Sequence, residues 1–238
     1  MNIALIGYGK MGRTIEALGK DQGRAFPLII DLDNSEDLSA KRLKGIDVAI
    51  EFTVPDSAPE NIRTCIDHGI PVVSGTTGWN DQFGEIEDYC KKHQGTLFYA
   101  SNFSIGVNIL FALNDRLARI MNNFTSYRVS MEEVHHIHKL DAPSGTAITL
   151  AEQIIGRLRL IKRWSLKDED NSSVVHIDAI REGEVKGRHS IRYESDLDSL
   201  TLSHNAKSRE AFAAGALLAA TFIKEKTGIF GMKDLLKL

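Results

Sequence analysis

Short apolar runs alternate with helix-patterned stretches along roughly the first hundred residues. Ile3–Ile6, Phe26–Ile30, Asp47–Phe52 and Thr96–Ala100 have strand length and are rich in β-branched and aromatic residues, and Val72-Val73 is a shorter run of the same kind. Met11–Asp21 and Pro55–His68 read as helices, the second stopping at Gly69, a residue suited to a helix C-terminus. Such alternation predicts βαβ units and a parallel sheet. Ser74-Gly75-Thr76-Thr77-Gly78 is too polar and too glycine-rich for a strand and is expected to be a loop.

Beyond residue 103 the pattern changes. Ile105–Met121 reads as a helix on the recurrence of Ile109, Leu113, Leu117 and Ile120. Tyr127–Val134 reads as a strand. Pro143–Leu158 reads as a helix with Ile148, Ala151, Ile154, Ile155 and Leu158 as its apolar stripe. Val174–Ile180, Ser190–Tyr193 and Leu200–Leu202 are strands bounded by polar turns. This is the pattern of a smaller α+β domain with a mixed sheet. A helix from Ser208 to Glu225 is expected to return to the first domain. The expected division is therefore 1–103, completed by about 208–238, and 104–207.

Gly7-Tyr8-Gly9-Lys10-Met11-Gly12 is a G-x-G-x-x-G turn that follows the first strand and opens a helix. In that setting the first glycine permits the tight turn, the second lets the backbone approach a pyrophosphate, and the third lets helix and strand pack closely. Asp31 lies 19 residues past Gly12 at the end of the second strand, where a carboxylate can accept hydrogen bonds from adenosine ribose hydroxyls. The first domain is thus expected to be a Rossmann-type dinucleotide-binding domain in an α/β protein. No arginine adjoins Asp31 to pair a 2′-phosphate, so NADH is expected to serve at least as well as NADPH. Lys10, Lys41 or Arg42 are the cations that would reach such a phosphate.

The densest chemistry lies in Glu133-Val134-His135-His136-Ile137-His138-Lys139-Leu140-Asp141-Ala142-Pro143-Ser144-Gly145-Thr146-Ala147. Imidazoles titrate near neutral pH, and an ammonium attracts anions or moves protons. Ser144, Gly145 and Thr146 then offer hydroxyls and amides at a helix start, which suits an anion. Together they suggest a site for a small acidic molecule beside proton donors. A shared metal is the competing reading, since on a strand His136 and His138 would point to one face. Lys139 would set a cation beside it, and Cys65 and Cys90 lie far off in sequence, so no metal is expected.

Composition narrows the remaining classes. A net charge of −3 gives no strong pull toward nucleic acid or anionic membrane, so neither is an expected partner. The most apolar stretch, Ala211 to Ile223, is too short to span a bilayer and resembles a buried helix. Met1–Gly7 lacks a basic segment and enters the glycine turn directly, unlike a secretory leader. Two cysteines in 238 residues point to a reducing compartment, and a cytoplasmic location is expected.

With both sites in view the chain closely resembles the 4-hydroxy-tetrahydrodipicolinate reductase (dihydrodipicolinate reductase) family of the diaminopimelate route to lysine. Glu133 to Ala147 matches the family signature E-x-H-H-x-x-K-x-D-x-P-S-G-T-A throughout. Gly7–Gly12, Ser74–Gly78, Ala100-Ser101-Asn102-Phe103-Ser104 and Ser203–Arg209 extend the likeness over nearly the whole chain. The resemblance implies an NADH- or NADPH-dependent oxidoreductase acting on a small cyclic dicarboxylate, assembled as a homotetramer through its central sheets. It implies His135 and Lys139 as the proton-handling pair, and His136, Ser144, Gly145 and Thr146 as substrate contacts. Gly75, Thr76, Thr77, Ala100, Ser101, Asn102 and Phe103 are implied to flank the nicotinamide end of the cofactor.

Two departures are visible: many members carry one more residue in the glycine turn, and Arg188 stands where the family often has an acidic residue. The alternatives on the same scaffold are a homoserine- or aspartate-type dehydrogenase, which leaves the His-His-x-x-Lys unit unexplained, and a dinucleotide-sensing regulator, which would tolerate loss of His135 and Lys139.

Overall fold

The computed structural model of the chain describes residues 1–169, 171–208 and 210–238, which form two compact units. The first comprises Met1–Ile105 with Glu210–Leu238, and the second the intervening segment from Gly106. The chain begins with β1 (Asn2–Ile6), α1 (Lys10–Asp21), β2 (Ala25–Ile30), α2 (Ala40–Leu43), β3 (Val48–Glu51), α3 (Ala58–Asp67), β4 (Val72–Ser74), α4 (Phe83–Lys92) and β5 (Thr96–Tyr99). The second unit holds α5 (Ile105–Met121), β6 (Arg128–His135), α6 (Gly145–Arg157), β7 (Arg163–Ser165), β8 (Val174–Arg181), β9 (Arg188–Glu194) and β10 (Ser199–Asn205). The chain then adds α7 (Glu210–Ile223), β11 (Gly228–Phe230) and α8 (Met232–Leu236) to the first unit.

The first sheet runs β11-β5-β4-β3-β1-β2 with every neighbouring pair parallel. Alternate side chains go to opposite faces, and both faces are buried, which is why the strands read as unbroken apolar runs. Ile3, Leu5, Val48, Ile50 and Phe98 pack on one side with Ile15 of α1 and with Ala213, Ala216, Leu217 and Ala220 of α7. Ala4, Ile6, Ala49, Val72 and Leu97 pack on the other with Ile62 and Cys65 of α3 and Ile86 and Cys90 of α4. Both cysteines are free, and burial pushes the Cys65 thiol up to about 12, so it is a core residue and not a nucleophile. Small residues let α7 sit close: a Cβ on Gly215 would stand 1.8 Å from the Phe103 carbonyl oxygen. Among the described residues no helix is long and apolar enough to cross a membrane.

The second sheet is mixed, in the order β10-β9-β6-β8-β7, with β6 antiparallel to β9 and parallel to β8. Val129 and Met131 of β6, Val175 and Ile177 of β8, and Ile191 and Tyr193 of β9 face α5 and α6 across a common core. Asn114 stitches the two helices, its amide donating to Leu150 O at 3.1 Å and Gln153 Oε1 at 2.9 Å.

The helix expected over Ile105–Met121 forms, but the apolar row that marked it is not the buried one. Ile109, Leu113 and Ile120 are exposed, and the buried face carries Val107, Leu110, Asn114, Ala118 and Met121. Two apolar rows of equal period run along this helix, and the polar Asn114 made the inner row look broken. On α6 the buried row is Ala147, Leu150, Ala151 and Ile154, shifted from the one expected. Ser74 also belongs to β4 rather than to the loop, because its hydroxyl is used inside the sheet. The short elements β7, β11, α2 and α4 lacked a readable period.

Replacing Gly215 by Ala drives a methyl onto the Phe103 carbonyl and is expected to destabilise the protein by about 1–3 kcal/mol. Gly156→Ala, where the added methyl meets open space, is expected to be neutral or stabilising. Thermal denaturation of the two variants checks the contrast.

Candidate active site

The β1–α1 turn contains Gly7, Tyr8, Gly9, Lys10, Met11 and Gly12, and packing explains two of its glycines. Gly7 has φ +94°, and a Cβ there would stand 2.1 Å from the Phe52 carbonyl oxygen. A Cβ on Gly12 would stand 2.2 Å from Gly7 O, so the helix can start only with glycine there. Gly9 has nothing among the described residues within 4 Å of its would-be Cβ, so their packing does not demand a glycine; a ligand approaching the backbone would. The strand order reverses between β1 and β3, the position where open α/β sheets hold their ligands. Asp31 is exposed just past β2, with its amide donating to Asn34 Oδ1 at 2.7 Å. This set fits a dinucleotide.

The other cofactor candidates follow the carboxyl ends of β4 and β5: Gly75, Thr76 and Thr77, then Ala100, Ser101, Asn102 and Phe103. A residue absent from the sequence reading organises the first of these loops. Glu51 is fully buried at the end of β3 and accepts hydrogen bonds from Ser74 Oγ (2.6 Å), Thr76 Oγ1 (2.7 Å), and the amide (2.8 Å) and hydroxyl of Thr53. Gly75 is needed above it, since a Cβ would stand 2.2 Å from the Phe52 ring. The signal was present as a lone carboxylate ending the run Val48-Ala49-Ile50.

In the second unit, β6 carries Val129, Met131, Glu133 and His135 to the helix-covered face by its two-residue period. Core therefore turns into site along one strand. Glu133 has no solvent exposure. Its carboxylate accepts the Ser144 amide (3.0 and 3.1 Å to its two oxygens) and Nη2 of Arg181 at 3.1 Å. His135 Nδ1 and His189 Nε2 each lie 3.7 Å from it. Ser144 is the N-cap of α6, its Oγ accepting the Ala147 amide at 3.2 Å, and Gly145 and Thr146 form the first turn. Arg181 also donates to the carbonyls of Asp141 (2.5 Å) and Lys139 (3.4 Å), and so ties down the segment that follows β6. Lys139 Nζ donates to Asp141 at 2.6 Å.

Burial pushes the Glu133 carboxyl up, but Ser144, the His135 imidazole and Arg181 outweigh it and hold the group below the ordinary carboxylate range. Burial, aided by Lys139 and Arg181, holds His135 below the ordinary imidazole value against the pull of Glu133. Burial, together with His135, pushes His189 down to about 4. Two neutral imidazoles therefore face one carboxylate. Donor atoms of Glu133, His135 and His189 come within 4.8 Å of one another, but the Arg181 guanidinium already supplies the positive charge a cation would bring.

The structure thus brings His135 and Ser144 to Glu133, with Gly145 next to Ser144 at the start of α6 and Lys139 on the following segment held by Asp141 and Arg181. His136 lies just past the end of β6, half-buried, and His138 pairs with Glu184 at 3.2 Å in the exposed turn. The strand stops at His135, so the shared strand face considered for His136 and His138 does not form. Arg181, His189 and Gly187 were missed, because only the sheet register brings them to β6. Arg188, the departure from the family pattern, pairs with Glu132 of β6 at 2.9 Å.

Three histidines held down by burial, His135, His189 and His204, make the unfolded chain bind more protons than the folded one between the ordinary imidazole value and about 4. Stability must therefore fall as pH drops through that window, and His176, shifted up, works the other way. Unfolding midpoints measured from about pH 7 to about pH 5 are expected to fall for the wild type and to fall less for His189→Gln.

Comparison with known proteins agrees with this geometry. The family description "Dihydrodipicolinate reductase, N-terminus" matches residues 1–103, and "Dihydrodipicolinate reductase, C-terminus" matches residues 106–236. The chain is 50% identical to the 4-hydroxy-tetrahydrodipicolinate reductase of Christiangramia forsetii, over 99% of this chain and 98% of that one. It is 35% identical to that of Neisseria meningitidis, over 94% of this chain and 84% of the relative. The fold matches a dipicolinate-bound dihydrodipicolinate reductase from Paenisporosarcina sp. TG-14 with a TM-score of 0.80, at 20% identity and 97% coverage of each chain. The signature residues folded around Glu133, the glycine turn at the switch point and these full-length matches agree: the chain belongs to the dihydrodipicolinate reductase family.

Proposed function

We propose that the protein reduces 4-hydroxy-tetrahydrodipicolinate to tetrahydrodipicolinate with NADH or NADPH and a proton, releasing water, as a step of lysine and diaminopimelate biosynthesis. The observation that carries this reading is the closure of the signature run onto Glu133, which brings the strand-end His135 and the capped start of α6 together.

In the first unit Gly7, Tyr8, Gly9, Lys10, Met11 and Gly12 hold the pyrophosphate end of the dinucleotide and Asp31 its adenosine ribose. Gly75, Thr76 and Thr77, braced by Glu51, and Ala100, Ser101, Asn102 and Phe103 hold its nicotinamide end. Bound NADH or NADPH supplies the hydride.

The second unit holds the dicarboxylate. His136 donates to it, and Ser144, Gly145 and Thr146 offer a carboxylate the positive end of α6. Such anchoring fixes the ring and can remove several kcal/mol from the barrier. Hydride arrival leaves electron density that a positioned acid must protonate. Lys139 Nζ brings a proton on an ammonium held by Asp141. His135 rests neutral, and Glu133 stabilises the imidazolium once it takes a proton up.

The outward face of the second sheet, with Arg128, Ser130, Asp178 and Arg192 exposed, is left uncovered by α5 and α6. This supports assembly as a homotetramer through these sheets, and the two free cysteines support a reducing, cytoplasmic location.

The test is loss of reduced-nicotinamide absorbance with substrate generated in situ from pyruvate and aspartate semialdehyde by the preceding synthase. Lys139→Ala and His135→Ala are each expected to lose about two to four orders of magnitude in kcat with NADH affinity intact. Wild-type protein that binds NADH but turns over with neither cofactor would refute the assignment. Glu51→Gln is expected to raise KM for NADH several-fold and leave KM for the dicarboxylate unchanged, which steady-state kinetics with each substrate varied in turn would check.

A further inference from the structure

The register of the second sheet sets His189 on β9 directly opposite Glu133 on β6, with His204 of β10 on its other side. The residue is 5% exposed, and its ring stands edge-on to His135 with centroids 5.0 Å apart. Its Nε2 lies 3.1 Å from Ser144 Oγ. Two residues earlier, Gly187 has φ +147°, and a Cβ there would stand 3.2 Å from His135 Nε2. The backbone leading to His189 is thus shaped around the His135 ring.

Hydrogen-bond accounting fixes the orientation of the pair. Ser144 Oγ accepts the Ala147 amide and has one more lone pair and one proton to place. Among the described residues, His189 Nδ1 is buried with no partner. A buried orphan N–H is the rarer and costlier state, so the ring proton belongs on Nε2 and is donated to Ser144 Oγ. The Ser144 proton then turns away from His189 toward the Glu133 carboxylate, which already accepts the Ser144 amide. Every lone pair and proton of the hydroxyl is thereby used.

We propose that His189 is a positioning residue whose Nε2–H fixes the Ser144 hydroxyl, and through it the first turn of α6 and the carboxylate facing His135. It acts through Ser144 and His135 and does not itself touch the reacting atoms. The charged and titratable groups around it are Glu133 and His135 of β6, Lys139 and Asp141 of the following segment, Arg181 of β8 and His204 of β10. The inference rests on the function proposed above, with the start of α6 as the dicarboxylate anchor.

The full chain and its His189→Ala and His189→Gln variants are compared by steady-state kinetics across pH and by calorimetric binding of pyridine-2,6-dicarboxylate and of NADH. His189→Ala is expected to weaken dicarboxylate binding and lower kcat/KM by about tenfold each, the scale of one lost buried hydrogen bond, with NADH binding unchanged. Water entering the vacated space relieves the burial of His135, so the limb of the pH profile that His135 governs moves to higher pH. His189→Gln, whose side-chain amide can donate to Ser144, is expected to recover most of the loss. Wild-type behaviour in His189→Ala would overturn the proposal, as would equal losses in both variants with NADH binding falling in parallel. Absence of wild-type turnover would refute the proposed activity, yet the dicarboxylate titration would still decide the role of His189. Absence of dicarboxylate binding as well would refute both.

Discussion

A carboxylate with no access to water is the constraint on which the second unit depends. Leaving Glu133 charged and unpaired in that interior would cost several kcal/mol, so the fold must deliver donors to it from separate parts of the chain. It does so from the start of α6 through Ser144 and from the end of β8 through Arg181, while His189 of β9 holds the Ser144 hydroxyl in place. Each delivery settles a piece of tertiary structure. Ser144 sets where α6 begins, Arg181 pins the carbonyls of Lys139 and Asp141, and the register opposite Glu133 sets the pairing of β9. The groups that neutralise the carboxylate are therefore the groups that build the site.

The first unit solves a similar problem differently. Glu51 is also fully buried at a strand end, but among the described residues its hydrogen-bond donors are three hydroxyls and one amide, with no cation. A charge held by neutral donors is a rigid acceptor that tolerates little rearrangement, since moving any hydroxyl leaves a lone pair bare. Under the proposed activity, such a brace suits a loop that flanks the nicotinamide end of the cofactor. The Arg181–Glu133 pair instead sets a cation against the carboxylate, so the buried charge is balanced in place.

The alternation of the first unit, the glycine turn, and the segment from Glu133 to Ala147 were legible because their signals are local: a period, a φ requirement, a spacing. The buried face of α5 was not legible because the chain carries two apolar rows of the same period, and only packing against α6 through Asn114 selects between them. Arg181 and His189 lie 48 and 56 residues from Glu133 in sequence, and no local pattern marks either. Their meaning comes from a parallel and an antiparallel pairing that converge on β6, which a strand's own residues do not encode. Glu51 was half legible: the charge at the end of an apolar run was visible, but its three hydroxyl partners were not.

The positions of Arg181 and Lys139 also decide how protons are distributed at rest. Arg181 holds the backbone that carries Lys139, and both cations, together with burial, disfavour the imidazolium form of His135. Glu133 opposes them but is itself engaged by Arg181 and Ser144, so its pull on His135 is reduced. Lys139 is therefore paired with Asp141, and His135 is held toward its neutral form beside a carboxylate. An anionic substrate placed near this group would offset the two cations and raise the affinity of His135 for a proton. Under the proposed activity, binding of the dicarboxylate would itself arm the second member of the pair, so that the acid is assembled only when there is something to protonate.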